Sequence, residues 1–317
     1  MKRFLMITVV PAFFFAAQLN AQSIRLDVAG SGSAAFKTEM EQREKINSLM
    51  YARMNGQWSY SGGNGVGPTG LTYFHEAGPG RFFIGGRYQG YNYSASHTDV
   101  SVFAVHMANV AEYKLSIVDA EIGYEIKSGS VTVIPKLGRR GYSKAYSNSS
   151  LELAYYVASN SSSYSGDTAG LYAGLGLEVA LTDRVALVLD GIASAGPMKG
   201  SAEMTHTLFG SYLGQNRLDV SSQSMDMEVA FTSARAGFKI RAVDALSLVV
   251  GIQGDEFKTG YPNQFTIGFE SNELTGNTGF YTSSLASTVV FNPIMWEKKY
   301  SDTRTGIYAG ITMDFDL

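Results

Sequence analysis

The sequence of 317 residues has no cysteine, little proline and few charged residues. Without cysteine there is no disulfide framework, no thiol nucleophile and no thiolate metal site. Only 7 residues are proline, whereas 35 are glycine and 19 are tyrosine, which favours many strands joined by tight turns. Charged residues make up 17% of the chain, below the roughly 25% of ordinary soluble domains. The formal net charge of −3 argues against a nucleic-acid partner, which requires a basic face.

Long apolar runs are also missing, apart from residues 4–17, which follow Lys2 and Arg3. A positive start, an apolar run of this length and the small residue Ala21 predict a signal peptide over residues 1–21. The run is shorter than the ~20 residues that a membrane-spanning helix needs. We therefore expect an exported chain whose mature domain, residues 22–317, contains no spanning helix.

Alternation with a period of two dominates the mature sequence. In residues 171–181 the odd positions are apolar and the even positions are mostly small or polar, and residues 185–191 repeat the pattern. Facing residues of a hairpin share one face of the sheet, so we expect Leu181 opposite Val185 with residues 182–184 as the connection. Alternating stretches of about ten residues are typical of strands that cross a membrane in a barrel, with one face on lipid.

Four such hairpins, together with a first and a last strand, predict an all-β fold, a transmembrane barrel of about ten antiparallel strands. An even number of strands places both chain ends on the periplasmic side, with short turns there and long loops on the outer side. Long polar loops are expected over residues 39–68, 96–113, 147–166, 196–222 and 258–302. Twelve strands is the alternative count, with the two additional strands at residues 265–269 and 280–291.

Two details of strand register follow from the same pattern. A turn at residues 127–130 sets Glu121 opposite Lys136 on the inner face of the barrel. The apolar positions change phase at Thr232 and Ser233, which predicts a β-bulge there. Register matters for function because a slip of one residue moves a side chain from the lumen to the lipid.

The last strand alternates apolar residues up to Phe315 and Leu317. This ending resembles the C-terminal sorting signal of bacterial outer-membrane proteins, although Leu stands where Phe is usual. In size and architecture the chain resembles small outer-membrane barrels such as the opacity proteins and the omptin surface proteases, with no motif specific to either family. The resemblance implies a Gram-negative-type outer membrane, surrounding lipid and insertion by the barrel assembly machinery through the last strand.

Candidates for catalysis are few. His97-Thr98-Asp99 places a histidine beside a carboxylate, the arrangement that activates a hydroxyl group or water in hydrolases. His206 has no acid nearby, and the acidic pair and Asp–His pair that the omptin resemblance implies are not found. The 4 histidines lack metal-ligand spacing. We therefore predict no catalytic residue, no metal and no cofactor, and keep a barrel hydrolase as a third hypothesis.

Charged residues of both signs fall on the predicted inner face. They form the predicted lumen charge network: Arg87, Asp119, Glu121, Glu125, Lys136, Arg140, Glu178, Asp190, Arg235 and Lys239. In small barrels the interior is filled by side chains, so we favour pairing across a closed lumen. The alternative is that these residues line a narrow path for ions or small solutes.

Aromatic residues are frequent in the segments expected as loops. The candidates for surface contacts are Tyr146, Tyr155, Tyr156, Tyr164, Tyr261 and Trp296. Mixtures of Tyr, Ser, Gly and Asn make adaptable contact surfaces, although some of these rings would also suit the aromatic girdle of a barrel. The leading hypothesis is a surface-interaction, adhesion or structural barrel with an extracellular ligand on its loops, and the alternative is a narrow porin.

Overall fold

A computed structural model describes residues 23–33, 57–100, 105–153, 157–212, 215–262, 266–273 and 299–316. The predicted signal peptide lies outside these residues. Within them the chain forms only strands and their connections. The strands are β1 Ser23–Ser33, β2 Gln57–Ala77, β3 Gly80–Val100, β4 Val105–Ser128, β5 Val131–Leu153, β6 Val157–Ala180, β7 Val185–Ser194, β8 Met198–Tyr212, β9 Gln215–Val243, β10 Leu246–Gly260, β11 Thr266–Glu273 and β12 Lys299–Asp316.

The strands close into an antiparallel barrel with ten positions. β1 pairs with both β2 and β12, and neighbouring strands pair in order from β2 to β6. β7 and β8 lie end to end in one position, since both pair with β6 and with β9. β10 then links β9 to β12. The predicted count of ten is confirmed.

β11 is an additional strand that pairs with β9 beyond the end of β10. It overlaps residues 265–269, where the alternative count of twelve had placed a strand. The partner predicted for it, residues 280–291, lies outside the described residues. Within the described residues β11 pairs with β9 alone, so it does not widen the ring.

The tight connections lie together at one end of the barrel, here called the turn end. They are residues 78–79, 129–130, 181–184 and 244–245. The beginning of β1 and the end of β12 lie at the same end of the barrel, where Ser23 pairs with Asp316. The register predicted for β6 and β7 is confirmed, because the Leu181 N–H donates to the Val185 carbonyl at 2.9 Å.

The turn between β4 and β5 is shorter than predicted. It contains only Gly129 and Ser130, and Gly129 has a φ of 62°, which a glycine adopts without a steric penalty. The predicted register was therefore wrong by two residues: Glu121 faces Gly138, not Lys136. A shift of two residues keeps every side chain on its predicted face, because side chains alternate with a period of two.

An apolar belt surrounds the barrel next to the turn end. Its large apolar side chains face outward and are between 37% and 67% exposed. A continuous apolar surface of this kind needs lipid to cover it. The belt comprises Val28 on β1, Val66 and Leu71 on β2, Leu137 on β5, Leu189 on β7, Leu181 in the turn after β6, and the outward-facing residues of segments 82–88 in β3, 118–126 in β4, 171–175 in β6, 238–243 in β9, 248–252 in β10 and 307–315 in β12.

Beyond the belt, on the side opposite the turn end, the strands continue as an extension of the barrel. Three segments predicted as loops are largely strand: residues 96–113, 147–166 and 196–222. The loop predictions for these segments were therefore wrong. Their outward residues are polar because this part of the wall lies outside the apolar belt, so the lipid-facing alternation is missing from the sequence.

β9 shows how the polarity inverts along one strand. Its odd-numbered residues stay inside, since Met225 and Phe231 are buried and Arg235 lines the lumen further towards the turn end. The pairing of β9 with β7 and with β10 shows no shift at Thr232 or Ser233. The predicted bulge was therefore wrong. The interior itself changes from apolar to charged at this height, and the outer face changes from polar to apolar.

Candidate functional site

The interior of the belt is the candidate functional site, because it gathers the charged residues of the barrel. All ten residues of the predicted lumen charge network lie on the inner side of their strands. They are Arg87 on β3, Asp119, Glu121 and Glu125 on β4, Lys136 and Arg140 on β5, Glu178 on β6, Asp190 on β7, and Arg235 and Lys239 on β9.

A deeply buried ion pair joins Arg140 and Asp119, which face each other on β5 and β4. The Arg140 Nε and Nη2 atoms donate to the two Asp119 carboxylate oxygens, each at 2.7 Å. Their side chains are 1% and 2% exposed. The guanidinium also lies 4.0 Å from the centre of the Phe231 ring. This pair therefore marks the boundary between the charged and the aromatic parts of the interior.

A second group lies nearer the turn end. Arg87 Nη2 donates to Glu121 at 2.6 Å, and the Tyr172 hydroxyl donates to the same carboxylate at 3.0 Å. Lys136 forms an ion pair with Asp190, which also lies 3.9 Å from Arg87. Lys136 therefore reaches across to β7 instead of pairing with the residue that the predicted register placed beside it.

Further ion pairs lie near the turn end. Arg25 on β1 contacts Asp314 at 2.8 Å and Glu125 at 3.6 Å. Lys239 lies 3.6 Å from Glu178. Arg25 and Asp314 were not among the predicted network residues, although the alternation of the first and last strands points both of them inward.

One buried pair in the extension was missed by the sequence analysis. Arg304 on β12 and Asp255 on β10 face each other at 3.2 Å, with side chains 1% and 2% exposed. The Arg304 guanidinium lies 3.6 Å from the centre of the Tyr91 ring. Residues 301–305 are all polar, so no contrast between inward and outward positions marked this part of β12 as a strand.

The tyrosines predicted as surface contacts are largely interior. Tyr146, Tyr164 and Tyr261 are only 5%, 2% and 5% exposed, which contradicts a role at the surface. The Tyr164 and Tyr261 hydroxyls lie 2.8 Å apart and share a hydrogen bond. The prediction was wrong because these positions face the dry interior of the extension. The other three, Tyr155, Tyr156 and Trp296, lie outside the described residues.

The interior of the extension is filled by an aromatic and methionine cluster, here called the plug. The Tyr142 and Phe257 rings lie 5.3 Å apart, the Phe231 and Phe257 rings lie 6.4 Å apart, and the Tyr164 hydroxyl donates to the Met227 sulfur at 3.2 Å. Besides these residues the plug contains Tyr91, Tyr93, Tyr113, Leu115, Ile117, Tyr146, Tyr172, Ile192, Met198, Ala202, Met204, Met225, Val229 and Tyr261.

Below the plug lies a cavity of about 210 Å³ within the belt. It is lined by the charged residues described above and by apolar side chains such as Phe83, Ile134 and Val188. The Lys239 and Glu178 side chains on its lining are 18% and 31% exposed, so solvent reaches the lumen from the turn end. We call this cavity, which opens towards the turn end, the vestibule. The described interior thus consists of the vestibule on the turn side and the packed plug on the other side.

Two of the histidines lie on neighbouring strands. The backbone register of β3 and β4 places Asp99 opposite His106 and His97 opposite Asn109, and His206 lies on β8. In the part of the chain that the structure describes, no group of three or more His, Cys, Asp or Glu side chains is placed to hold a metal ion. No helix among the described residues is long and apolar enough to cross a membrane.

A closed antiparallel barrel with an outer apolar belt, tight turns at one end and a charged inner face is a transmembrane β-barrel of the outer-membrane type. No protein-family model and no curated protein sequence matches the chain. The solved structures that are similar to it include the outer-membrane protease OmpT from Escherichia coli and the toluene transporter TodX from P. putida.

Both likenesses are distant. The OmpT structure shares 8% sequence identity over 94% of this chain and 98% of its own, with a TM-score of 0.42. The TodX structure shares 12% identity over 93% of this chain and 89% of its own, with a TM-score of 0.36. At these values neither the protease activity nor the transport activity carries over to this protein.

Proposed function

We propose that the protein is a non-conducting barrel of the outer membrane, whose extension outside the lipid acts as a structural or adhesive contact surface. The observation that carries the proposal is the plug. It fills the extension with buried aromatic and methionine side chains from β3, β4, β5, β6, β8, β9 and β10. Small barrels whose interiors are filled in this way leave no continuous water path.

The outer face of the extension supports the contact role. A shallow depression of about 410 Å³ crosses β4, β5, β6 and β8. Its lining includes the small side chains of Ser147, Ser163 and Ser165 and the charged residues Lys114 and Glu203. Serine-rich surfaces offer adaptable hydrogen bonding to a partner.

The proposed setting is the one that the sequence analysis predicts. A cleaved signal peptide exports the chain, lipid of the outer membrane covers the apolar belt, and the assembly machinery inserts the barrel through β12. An extracellular ligand occupies the outer face of the extension. The proposal includes no catalytic step.

Conductance separates this proposal from the narrow-pore alternative, which the open vestibule favours. The mature protein, refolded into a planar bilayer, is expected to show no single-channel steps. A variant in which Tyr142, Phe231 and Phe257 are all replaced by alanine is expected to conduct, because the plug loses its central rings. Folding of both proteins is checked by their shift in gel mobility on heating. Steady steps from the folded wild type would overturn the proposal and establish a pore.

The contact role has its own test. Fluorescent nanodiscs that carry the mature protein are applied to an array of matrix proteins and glycans, with empty nanodiscs as the control. Retention above the control is expected, together with its loss in Ser163→Arg, which fills the depression. Retention equal to that of empty nanodiscs would leave a purely structural barrel.

A further inference from the structure

Among the described residues that line the vestibule, Arg235 is the one cation without an ion pair. Asp190 faces it on β7 but is paired with Lys136. Arg235 lines the cavity, and its Nε atom is buried without a hydrogen-bond partner. Within the described residues no acidic side chain lies within 4.0 Å of its guanidinium. A guanidinium in a solvent-reached cavity of about 210 Å³ can bind a ligand, whereas a packed one cannot.

The other cations of the vestibule all have acidic partners. Arg25 pairs with Asp314 and Glu125, Arg87 with Glu121, Lys136 with Asp190 and Lys239 with Glu178. Two acids remain nearby. Asp119 is held at both oxygens by Arg140, and Asp27, which also lines the cavity, accepts a hydrogen bond from the Thr312 hydroxyl at 2.7 Å. The acids that could neutralise Arg235 are therefore already engaged.

From this geometry we propose that the vestibule binds a small organic carboxylate through Arg235. The planar guanidinium presents parallel N–H donors that match the two oxygens of a carboxylate. Phe83, Ile134 and Val188 line the same cavity and suit a short apolar tail. The site goes beyond the proposed function, since a ligand that enters and leaves at the turn end requires no passage through the plug.

The size of the cavity limits the ligand. A volume of about 210 Å³ holds on the order of ten waters. A carboxylate of three or four carbon atoms fits this space. Short monocarboxylates are therefore the expected class, with inorganic anions as weaker competitors because they leave the apolar wall uncovered.

The test uses the full mature protein in detergent micelles and ¹⁹F NMR of 3,3,3-trifluoropropionate. Saturable line broadening is expected, and unlabelled propionate should reverse it while propylammonium, of matched size, should not. Arg235→Gln should weaken binding roughly tenfold to a hundredfold, since it removes a charge-assisted bidentate contact. Arg241→Gln is the matched control, because Arg241 lies on the same strand, is exposed and does not line the cavity.

Three outcomes would overturn the proposal. They are no broadening by the folded wild type, displacement by propylammonium as effective as by propionate, and unchanged binding in a folded Arg235→Gln. If Arg235→Gln does not fold, Arg235→Lys takes its place, with weaker but measurable binding expected because the charge stays and the bidentate geometry is lost. Binding by this variant equal to the wild type would exclude the bidentate contact. None of these results depends on conductance or on surface contacts.

Discussion

The buried pair of Asp119 and Arg140 offers the sharpest test of the interior. Asp119→Asn keeps the size of the side chain but removes its charge, so the Arg140 guanidinium, 1% exposed, stays charged without a counter-charge. Breaking a buried pair in this way costs about 3–5 kcal/mol. The Phe231 ring 4.0 Å from the guanidinium still stabilises the remaining positive charge by about 1 kcal/mol, so we expect a loss of about 3 kcal/mol in the free energy of unfolding.

The assay is urea unfolding of the mature protein refolded in lipid vesicles, followed by circular dichroism and by gel mobility. Glu112→Gln is the control, since it breaks the Glu112–Lys114 pair, whose side chains are 55% and 61% exposed. A surface pair contributes at most about 1 kcal/mol, so this change should be nearly silent. Adding Arg140→Met to Asp119→Asn should recover stability, because the uncompensated buried charge is then gone.

The outcome that would refute the reasoning is a free energy of unfolding for Asp119→Asn within ~0.5 kcal/mol of the wild type, the range of ordinary surface changes. The Arg140 guanidinium would then be solvated in the folded protein. The boundary between the charged interior and the plug would have to be placed elsewhere.

Two further predictions concern the wall and use the same unfolding assay. Leu175→Lys puts a charge on the lipid face and should lower the free energy of unfolding by about 2–4 kcal/mol. Ser165→Lys, which faces outward on the same strand but lies in the extension, should change it by no more than ~0.5 kcal/mol. Equal losses in the two variants would contradict the change of the outer face from apolar to polar along the strand. Gly138→Ala should lower the free energy of unfolding by about 1–3 kcal/mol through overpacking, because its new methyl group would lie 2.4 Å from the buried Tyr172 ring. Gly141→Ala is the control, since the atom nearest to its methyl group would be 3.8 Å away. Equal midpoints for the two alanine variants would mean that the ring is not fixed over the strand.

Much of the barrel could be predicted from the sequence because lipid imposes a strict rule on the belt. Every second residue there must be apolar, and the strands must close, since no backbone group can be left unpaired in lipid. The alternation therefore located ten strands and assigned the inner face to residues such as Arg87 and Lys136. It also placed Leu181 opposite Val185, because only that register keeps both apolar faces together.

The pairing partners inside the barrel were decided by the tertiary structure. A turn of two residues, made possible by the positive φ of Gly129, moved Glu121 away from Lys136 and left Lys136 to reach Asp190 on a different hairpin. Such contacts depend on how far each strand is shifted against its neighbour around a closed ring. Alternation within one strand carries no information about that shift beyond its parity.

The extension shows most clearly which features follow from the sequence and which follow only from the tertiary structure. By itself the sequence determined that residues 147–166 and 196–222 are polar and rich in serine, with several tyrosines, which is equally typical of surface loops. Only the closed barrel decided that these segments continue as strands and that Tyr146 and Tyr164 point inward. The physical reason is that the barrel passes out of the lipid at this height: water then covers its outer face, and the apolar side chains become buried in the lumen.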